Sequence, residues 1–288
     1  MNAWVTLLTQ PNYVIGVRTL RASLAASGSD APLVVMVTDA IDEETRQLLR
    51  SDGCLLRDVA PLRPLNGATG GYANARFAEV WTKLAVWGLT EFDRVVFLDA
   101  DMLVTQNMDE LFSLALADGS IAACHACRCN PNRIASYPPS WTPENCAYTH
   151  LSGTEHAVAG RTSAGLGDSG PDDYLNGGFL VLTPDEVVLA DMVAQLGALD
   201  DLSRYPFAEQ DFLNEFFHDR WQPLPYVYNA LKTLPHQHPS IWHLPSVKNI
   251  HYIIDKPWQK PLDPTDPYFE LNRLWWQRNE TITALADR

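Results

Sequence analysis

Arg94-Val95-Val96-Phe97-Leu98-Asp99-Ala100-Asp101 constrains the fold of this chain more than any other stretch. Four consecutive apolar residues with no Gly or Pro predict a strand buried on both faces, as in a parallel sheet. Val and Phe suit a strand. Two carboxylates then stand at the strand's C-terminal end, where open α/β sheets bind their ligands. That close together, they repel unless a cation or a proton lies between them. A hard divalent ion carrying phosphate oxygens is the natural occupant. The segment is therefore a candidate site for a metal and a diphosphate. Taken alone, Asp-x-Asp is a common solvated loop end. Phosphatases with an aspartyl nucleophile also start from an apolar strand and Asp-x-Asp, but there the motif opens the domain and Thr or Val follows it. Here Leu103 holds that position and a long α/β stretch comes first, which favours a metal site at the end of a nucleotide-binding half.

The preceding stretch supports that half. Trp4 to Leu8 reads as a first strand and Thr9-Gln10-Pro11-Asn12 as a turn. Val14, Val17, Leu20 and Leu24 have helical spacing, and Gly28 ends their helix. Leu33 to Val37 is a second buried strand, Asp42 caps a helix to about Arg50, and Cys54-Leu55-Leu56 is a third strand. This alternation predicts βαβ units and a parallel sheet. A helix from about Phe77 to Gly88 carries Lys83 on a mostly apolar face. Such a Lys usually snorkels to the surface, but this one could aim at a phosphate.

Beyond Asp101, the sequence predicts a short helix over Met108–Phe112 and a strand over Ile121–Cys124. An irregular region of about residues 128–173 follows, in which Tyr137, Trp141 and Tyr148 favour an ordered, packed loop. Leu175-Asn176-Gly177-Gly178-Phe179 resumes the sheet, its paired glycines permitting close approach of a ligand or another backbone. Helices are expected from Asp185 to about Gly197 and from Phe207 to Phe217, the second with Glu209 and Gln210 in its first turn. The tail, Leu271 to Asn279, is expected to pack back on the domain.

Composition narrows the function classes. A formal net charge of -14 argues against a nucleic-acid surface. The N-terminus lacks the basic start and apolar core of a signal peptide, and no apolar run approaches the roughly 20 residues that span a bilayer. A soluble, cytoplasmic protein is expected, with homo-oligomerisation left open. Five cysteines, an odd number, argue against a disulfide framework. Cys124-x-x-Cys127-x-Cys129 with Cys146 could offer four thiolates to zinc, but the spacing is not a clean pair of C-x-x-C knuckles. Buried inert thiols without a structural zinc are the expectation.

Several segments together resemble glycosyltransferase family 8, which includes glycogenin and galactinol synthase. They are Val5-Thr6-Leu7-Leu8-Thr9, Trp81-Thr82-Lys83-Leu84, Val96 to Asp101, Leu175 to Phe179, Glu209-Gln210-Asp211-Phe212-Leu213-Asn214, and His251 with Lys256-Pro257-Trp258. They run in the family's order from about residue 4 to 258, and the Cys124 to Tyr148 region looks closest to galactinol-synthase-like members. The resemblance implies one α/β, GT-A, Rossmann-like domain over residues 1–288, with a central, mostly parallel (mixed) sheet flanked by helices. Residues 1–101 would form the nucleotide-binding half, 102–260 the sugar and acceptor half, and 261–288 a tail on the domain. It implies a UDP-sugar donor, Mn²⁺, a small-molecule or glycan acceptor, and transfer with retention of anomeric configuration.

Carried over by position, Leu7, Thr9 and Tyr13 would hold the base, and Asp99, Asp101 and His251 would ligate the metal, with Ala100 beside the donor. Lys83 and Lys256 would meet the donor's sugar and phosphates, and Arg76 would stand for a donor-contacting arginine. Asn176, Gly177, Glu209 and Gln210 would line the sugar and the reaction centre, with Gln210, Glu209 and Lys256 as the catalytic set. The chemistry agrees: a departing diphosphate needs a metal and Lys, and an imidazole ligand suits Mn²⁺ better than Mg²⁺. One departure stands out. His251 to Lys256 is one residue shorter than in glycogenin and lacks its Gly, which leaves the reach of Lys256 open. The alternatives are a glycogenin-like self-glucosylating primer and a catalytically silent nucleotide-sugar-binding protein. A sugar-nucleotide pyrophosphorylase would want a Gly-rich basic loop after the first strand, which Thr9-Gln10-Pro11-Asn12 is not.

Overall fold

The computed structural model describes residues 1–64, 79–151 and 173–286, the side chains as far as residue 282. The first half alternates as its sequence predicts: β1 (Asn2–Leu8), α1 (Val14–Ala26), β2 (Leu33–Val37), α2 (Glu43–Ser51), β3 (Leu55–Asp58) and β4 (Arg94–Leu98). Asp42 caps α2, its carboxylate accepting from Thr45 N at 2.7 Å. Before β4, Val80–Gly88 winds as a 3-10 helix rather than the α-helix its apolar spacing suggests.

The second half contributes β5 (Met102–Val104), β6 (Ile121–His125), β7 (Leu175–Leu182), α3 (Glu186–Gly197), α4 (Glu209–Phe216), β8 (Trp221–Leu224), β9 (Ala230–Leu231), α5 (Leu234–Gln237), β10 (Asn249–His251) and α6 (Phe269–Ala286). Seven strands form one sheet in the order β3-β2-β1-β4-β7-β6-β8. It is parallel from β3 to β4, antiparallel where β7 enters, and parallel again at β6 and β8. Its central strands are buried on both faces. Val5, Met36, Val95 and Phe97 point into one core, and Trp4, Val35, Val96 and Leu98 into the other. This is the environment that the unbroken apolar run before Asp99 predicts.

A smaller sheet, β5-β10-β9, sits beyond the end of β4. It rests on a third core with Leu103, Leu231, Ile250, Tyr252 and Trp275. Through Trp275 the tail packs back: Trp258 lies 5.2 Å from it between ring centroids, and Asn279 Nδ2 donates to Thr19 Oγ1 in α1 at 2.9 Å. Among the described residues no helix is long and apolar enough to cross a membrane.

Candidate active site

Strand register assembles the acidic floor. β4 ends at Leu98, which pairs with Phe179, and Asp99 N donates to Gly178 O at 2.9 Å. The chain then leaves the large sheet, and Met102 in β5 pairs with His251 in β10. That antiparallel pairing sets an imidazole from the far end of the sequence beside Asp101. His251 Nε2 lies 3.4 Å from Asp101 Oδ1 and 3.9 Å from Asp99 Oδ2. Only glycine fits between: a Cβ on Gly178 would stand 2.6 Å from His251 Cε1 and 2.8 Å from Asp99 Oδ2. Of the paired glycines, Gly178 alone makes a close approach, and it is to the side chains of His251 and Asp99 rather than to another backbone.

Asn229, fully buried, fixes the imidazole. Its Oδ1 lies 2.9 Å from His251 Nδ1, and its Nδ2 donates to Asn176 Oδ1 at 2.8 Å. With the amide so oriented, Oδ1 accepts from Nδ1–H, and the lone pair of Nε2 faces the carboxylates. Asp101 Oδ1 is buried and accepts no hydrogen bond from any described residue. A lone-pair nitrogen and an orphaned carboxylate oxygen 3.4 Å apart, with a second carboxylate beside them, form a donor set that a divalent cation satisfies.

Two buried lysines flank the floor. Lys83 Nζ lies 3.1 Å from Asp99 Oδ1 and donates to Glu209 Oε1 at 2.7 Å and to Gly177 O at 2.9 Å. Burial opposes its charge, but Asp99 and then Glu209 outweigh burial and hold the ammonium above its ordinary range. It does not snorkel. Lys256 Nζ donates to Asp101 Oδ2 and, at 3.0 Å, to Tyr252 O. Burial would raise the Asp101 carboxyl, yet the Lys256 ammonium outweighs it and holds Asp101 well below the usual carboxylate range. The shortened turn does bring Lys256 to the floor. Ile254 makes this possible by adopting φ +65°, a conformation ordinarily left to glycine.

α4 supplies the next wall. Ala208, immediately before it, holds φ +48°, and this kink turns the helix's first residues toward the cleft. Burial raises the Glu209 carboxyl against the pull of Lys83. Gln210 spans the cleft edge: its Oε1 accepts from Gly177 N at 3.0 Å and its Nε2 donates to Tyr174 Oη at 3.1 Å. Leu7, Thr9, Tyr13, Ala100 and Asn176 line the same cleft. There Glu79 accepts from Gln10 Nε2 at 2.8 Å. The structure thus brings the expected residues to one cleft. Gly177 contributes its carbonyl to Lys83, and Arg76 lies outside the described residues.

Sequence reasoning missed Asn229 and Glu79. It also gave the aromatic loop no place in the site. Tyr137 and Trp141 close the cleft over Phe207, Trp141 stacked on it with ring centroids 4.4 Å apart.

Residues 4–261 match the sequence profile of Glycosyl transferase family 8. The chain belongs to this glycosyltransferase family. This family 8 glycosyltransferase is 33% identical over 281 residues to galactinol synthase 7 of Arabidopsis thaliana, an alignment covering 95% of this chain and 80% of that one. It is 30% identical over 292 residues to galactinol synthase 1 of Solanum lycopersicum, covering 97% and 82%. Among solved structures it is similar to the galactosyltransferase LgtC in complex with donor and acceptor sugar analogues, with a TM-score of 0.63 at 18% identity, over 98% of this chain and 96% of that one. It is also similar to the glycosyltransferase GlyE of Streptococcus pneumoniae TIGR4, with a TM-score of 0.61 at 19% identity. That match covers 97% of this chain, which spans 61% of the longer GlyE chain. At these identities the solved structures bear on fold alone, and the fold is GT-A.

Proposed function

We propose that this glycosyltransferase transfers a hexose from a UDP-sugar, with a divalent metal and with retention of configuration, to a small acceptor as a galactinol synthase does. One observation carries the reading: Asp99, Asp101 and His251 converge in a cleft where Lys83 and Lys256 are buried cations. A set of two carboxylates and one imidazole favours Mn²⁺ over Mg²⁺. When bound, the ion supplies Lewis-acid neutralisation of the diphosphate as the glycosidic bond breaks.

The remaining work falls to the chain's own residues. Leu7, Thr9 and Tyr13 bind the uracil end. Lys256, which neutralises Asp101 here, turns to the leaving phosphate and stabilises its growing charge. Lys83 and Asn176 fix the sugar, and Lys83 holds Glu209 in place. Gln210 presents its carbonyl dipole toward the anomeric carbon. Tyr137, Trp141 and Phe207 exclude water and offer flat apolar faces to a ring-shaped acceptor. Similarity to galactinol synthases supports a cyclic polyol of the inositol type over a self-glucosylated primer.

The test is UDP release from a panel of UDP-sugars, with inositol or without acceptor, in Mn²⁺ and in excess EDTA. Release is expected only with metal, and fastest with the polyol. Asp101→Ala is expected to abolish it together with most Mn²⁺-dependent UDP affinity. Full activity in EDTA or in that variant overturns the reading.

A further inference from the structure

A second cluster of metal-ligating side chains lies outside the acidic floor. Cys127 and Cys129 follow β6, Cys146 stands between the short 3-10 turns Pro143–Asn145 and Ala147–His150, and His238 terminates α5. Four separate positions, the farthest 111 residues apart, place three thiols and one imidazole with their ligand atoms all within 4.8 Å of one another. His238 Nε2 lies 3.3 Å from Cys127 Sγ, 3.2 Å from Cys129 Sγ and 3.6 Å from Cys146 Sγ. Cys127 Sγ and Cys146 Sγ are 4.0 Å apart.

These separations decide between the chemistries open to such a group. A disulfide needs sulfurs about 2.05 Å apart, and all the cysteines are unbridged. A tetrahedral zinc with bonds of about 2.3 Å to sulfur and about 2.0 Å to nitrogen has edges of about 3.8 Å between sulfurs and about 3.5 Å between sulfur and nitrogen. The three sulfur–nitrogen distances fall on either side of the second edge, and the Cys127–Cys146 distance of 4.0 Å is slightly longer than the first. Inert packed thiols, the expectation from the sequence, have no reason to point four donors at one centre. That expectation weighed Cys124 as the fourth ligand, but Cys124 turns away and donates to Pro225 O at 3.2 Å. The fourth ligand is His238, too distant in sequence for any local spacing to disclose. Polar groups stand beside the sulfurs: the Cys127 thiol donates to Gln237 Oε1 at 2.8 Å, an amide that must turn its Nε2 to the sulfur once the thiol proton is lost, and Thr149 Oγ1 lies 3.8 Å from Cys129 Sγ. Such neighbours orient thiolate ligands and tune their charge.

We propose that Cys127, Cys129, Cys146 and His238 form a structural zinc site that staples the aromatic wall of the cleft. Binding one Zn²⁺ releases the three thiol protons and leaves His238 neutral. All four tetrahedral positions go to protein, so the site is closed and structural rather than catalytic. It closes the loop between Cys129 and Cys146, which carries Tyr137 and Trp141, and ties it to the end of β6 and to α5. Cys127 itself lines the cleft with those two aromatics. The soft sulfur-rich set and the oxygen-rich set at Asp99, Asp101 and His251 select different ions, so the protein would carry two metals in distinct roles. This inference does not rest on the proposed reaction.

The test is metal content of the full chain, purified under reducing conditions and washed with EDTA to strip the acidic floor. Mass spectrometry of the metals is expected to find one zinc per chain, retained in Asp101→Asn, Cys54→Ser and Cys124→Ser. It is expected to fall well below half in Cys129→Ser and in His238→Ala. Wild type stripped with a stronger chelator keeps the measurement independent of variant folding. Cobalt added to it is expected to give tetrahedral visible bands and thiolate-to-cobalt charge transfer at one equivalent, and zinc to bleach them. Absence of zinc as purified, together with absence of cobalt bands on titration, overturns the site. So does stoichiometric iron or copper in place of zinc, zinc that persists in both ligand variants, or zinc that leaves with Asp101→Asn.

Discussion

Asn229 shows how one residue outside every motif can govern the chemistry of those inside them. Its amide holds His251 in the tautomer that aims Nε2 at the carboxylates, and Asn176 in turn holds the amide. Asn229→Ala should therefore weaken Mn²⁺ affinity by about 10- to 100-fold, the usual cost of losing a partner behind a metal ligand. The check is the Mn²⁺ dependence of UDP binding by calorimetry; an unchanged dependence would show that packing alone holds the imidazole. Lys232 illustrates the opposite case, a residue that costs stability. Burial, and then repulsion from Lys256, lower its ammonium from 10.5 to about 8. In the unfolded chain it keeps its ordinary value, so between about pH 8 and 10 the unfolded state binds more protons and stability rises with pH. Below pH 8 both states carry the charge, and the penalty is present in full. Lys232→Met should abolish that rise, a difference of about 1–2 kcal/mol between pH 7.5 and 9.5 by urea denaturation. Parallel pH profiles for the two proteins would remove Lys232 as its source.

Elements with strong periodicity were legible in the sequence, and elements made by tertiary pairing were not. β1, β2 and β4 announce themselves as apolar runs, and Asp42 as a cap whose carboxylate does accept from the first turn of α2. The antiparallel entry of β7 is not written in its residues, since a strand buried on both faces reads alike in either direction. β5, β9 and β10 are two or three residues long, too short to show alternation, yet their register carries His251 to Asp101. For this reason the candidate metal ligands could be taken from family resemblance but not from periodicity. The shortened turn before Lys256 makes the same point energetically. Ile254 sits at φ +65°, which costs a β-branched residue about 1–2 kcal/mol. Its side chain lies at the edge of the cleft and remains 36% exposed, so burial offsets only part of that cost. Ile254→Gly should stabilise the protein by about 0.5–1 kcal/mol after the added freedom of the unfolded chain is subtracted, with kcat retained because Lys256 stays in place. Thermal unfolding decides it: a Tm below wild type would show that the Ile254 side chain contributes more than the strain it imposes.

At the scale of the whole molecule, the cleft has one acidic floor, two buried cations and one aromatic wall, and together they bear on the stereochemistry of transfer. Inversion needs a carboxylate base on the acceptor side, opposite the leaving group. Among the described residues the cleft's carboxylates are otherwise engaged: Asp99 and Asp101 at the candidate metal set, Glu209 on Lys83, and Glu79 with Gln10. Retention can pass through a covalent intermediate or through attack on the same face, with the departing phosphate taking the acceptor's proton. Glu209 is clamped by Lys83 and almost fully buried, a poor position from which to reach an anomeric carbon. Gln210, an amide, cannot form a stable glycosyl ester. Under the proposed retention, same-face attack is the route these residues favour, with Lys256 to stabilise the diphosphate and the Gln210 carbonyl to stabilise positive charge at carbon. An interaction of that kind belongs to the transition state, so Gln210→Ala should lower kcat by about 10- to 100-fold while leaving the donor KM within a few-fold. Proton NMR of the first product from an α-linked UDP-sugar tests the stereochemical step directly. An α-linkage is expected. A β-linked product rules out retention, and a glycosyl adduct on Glu209, seen by mass spectrometry of the quenched enzyme, replaces same-face attack with double displacement.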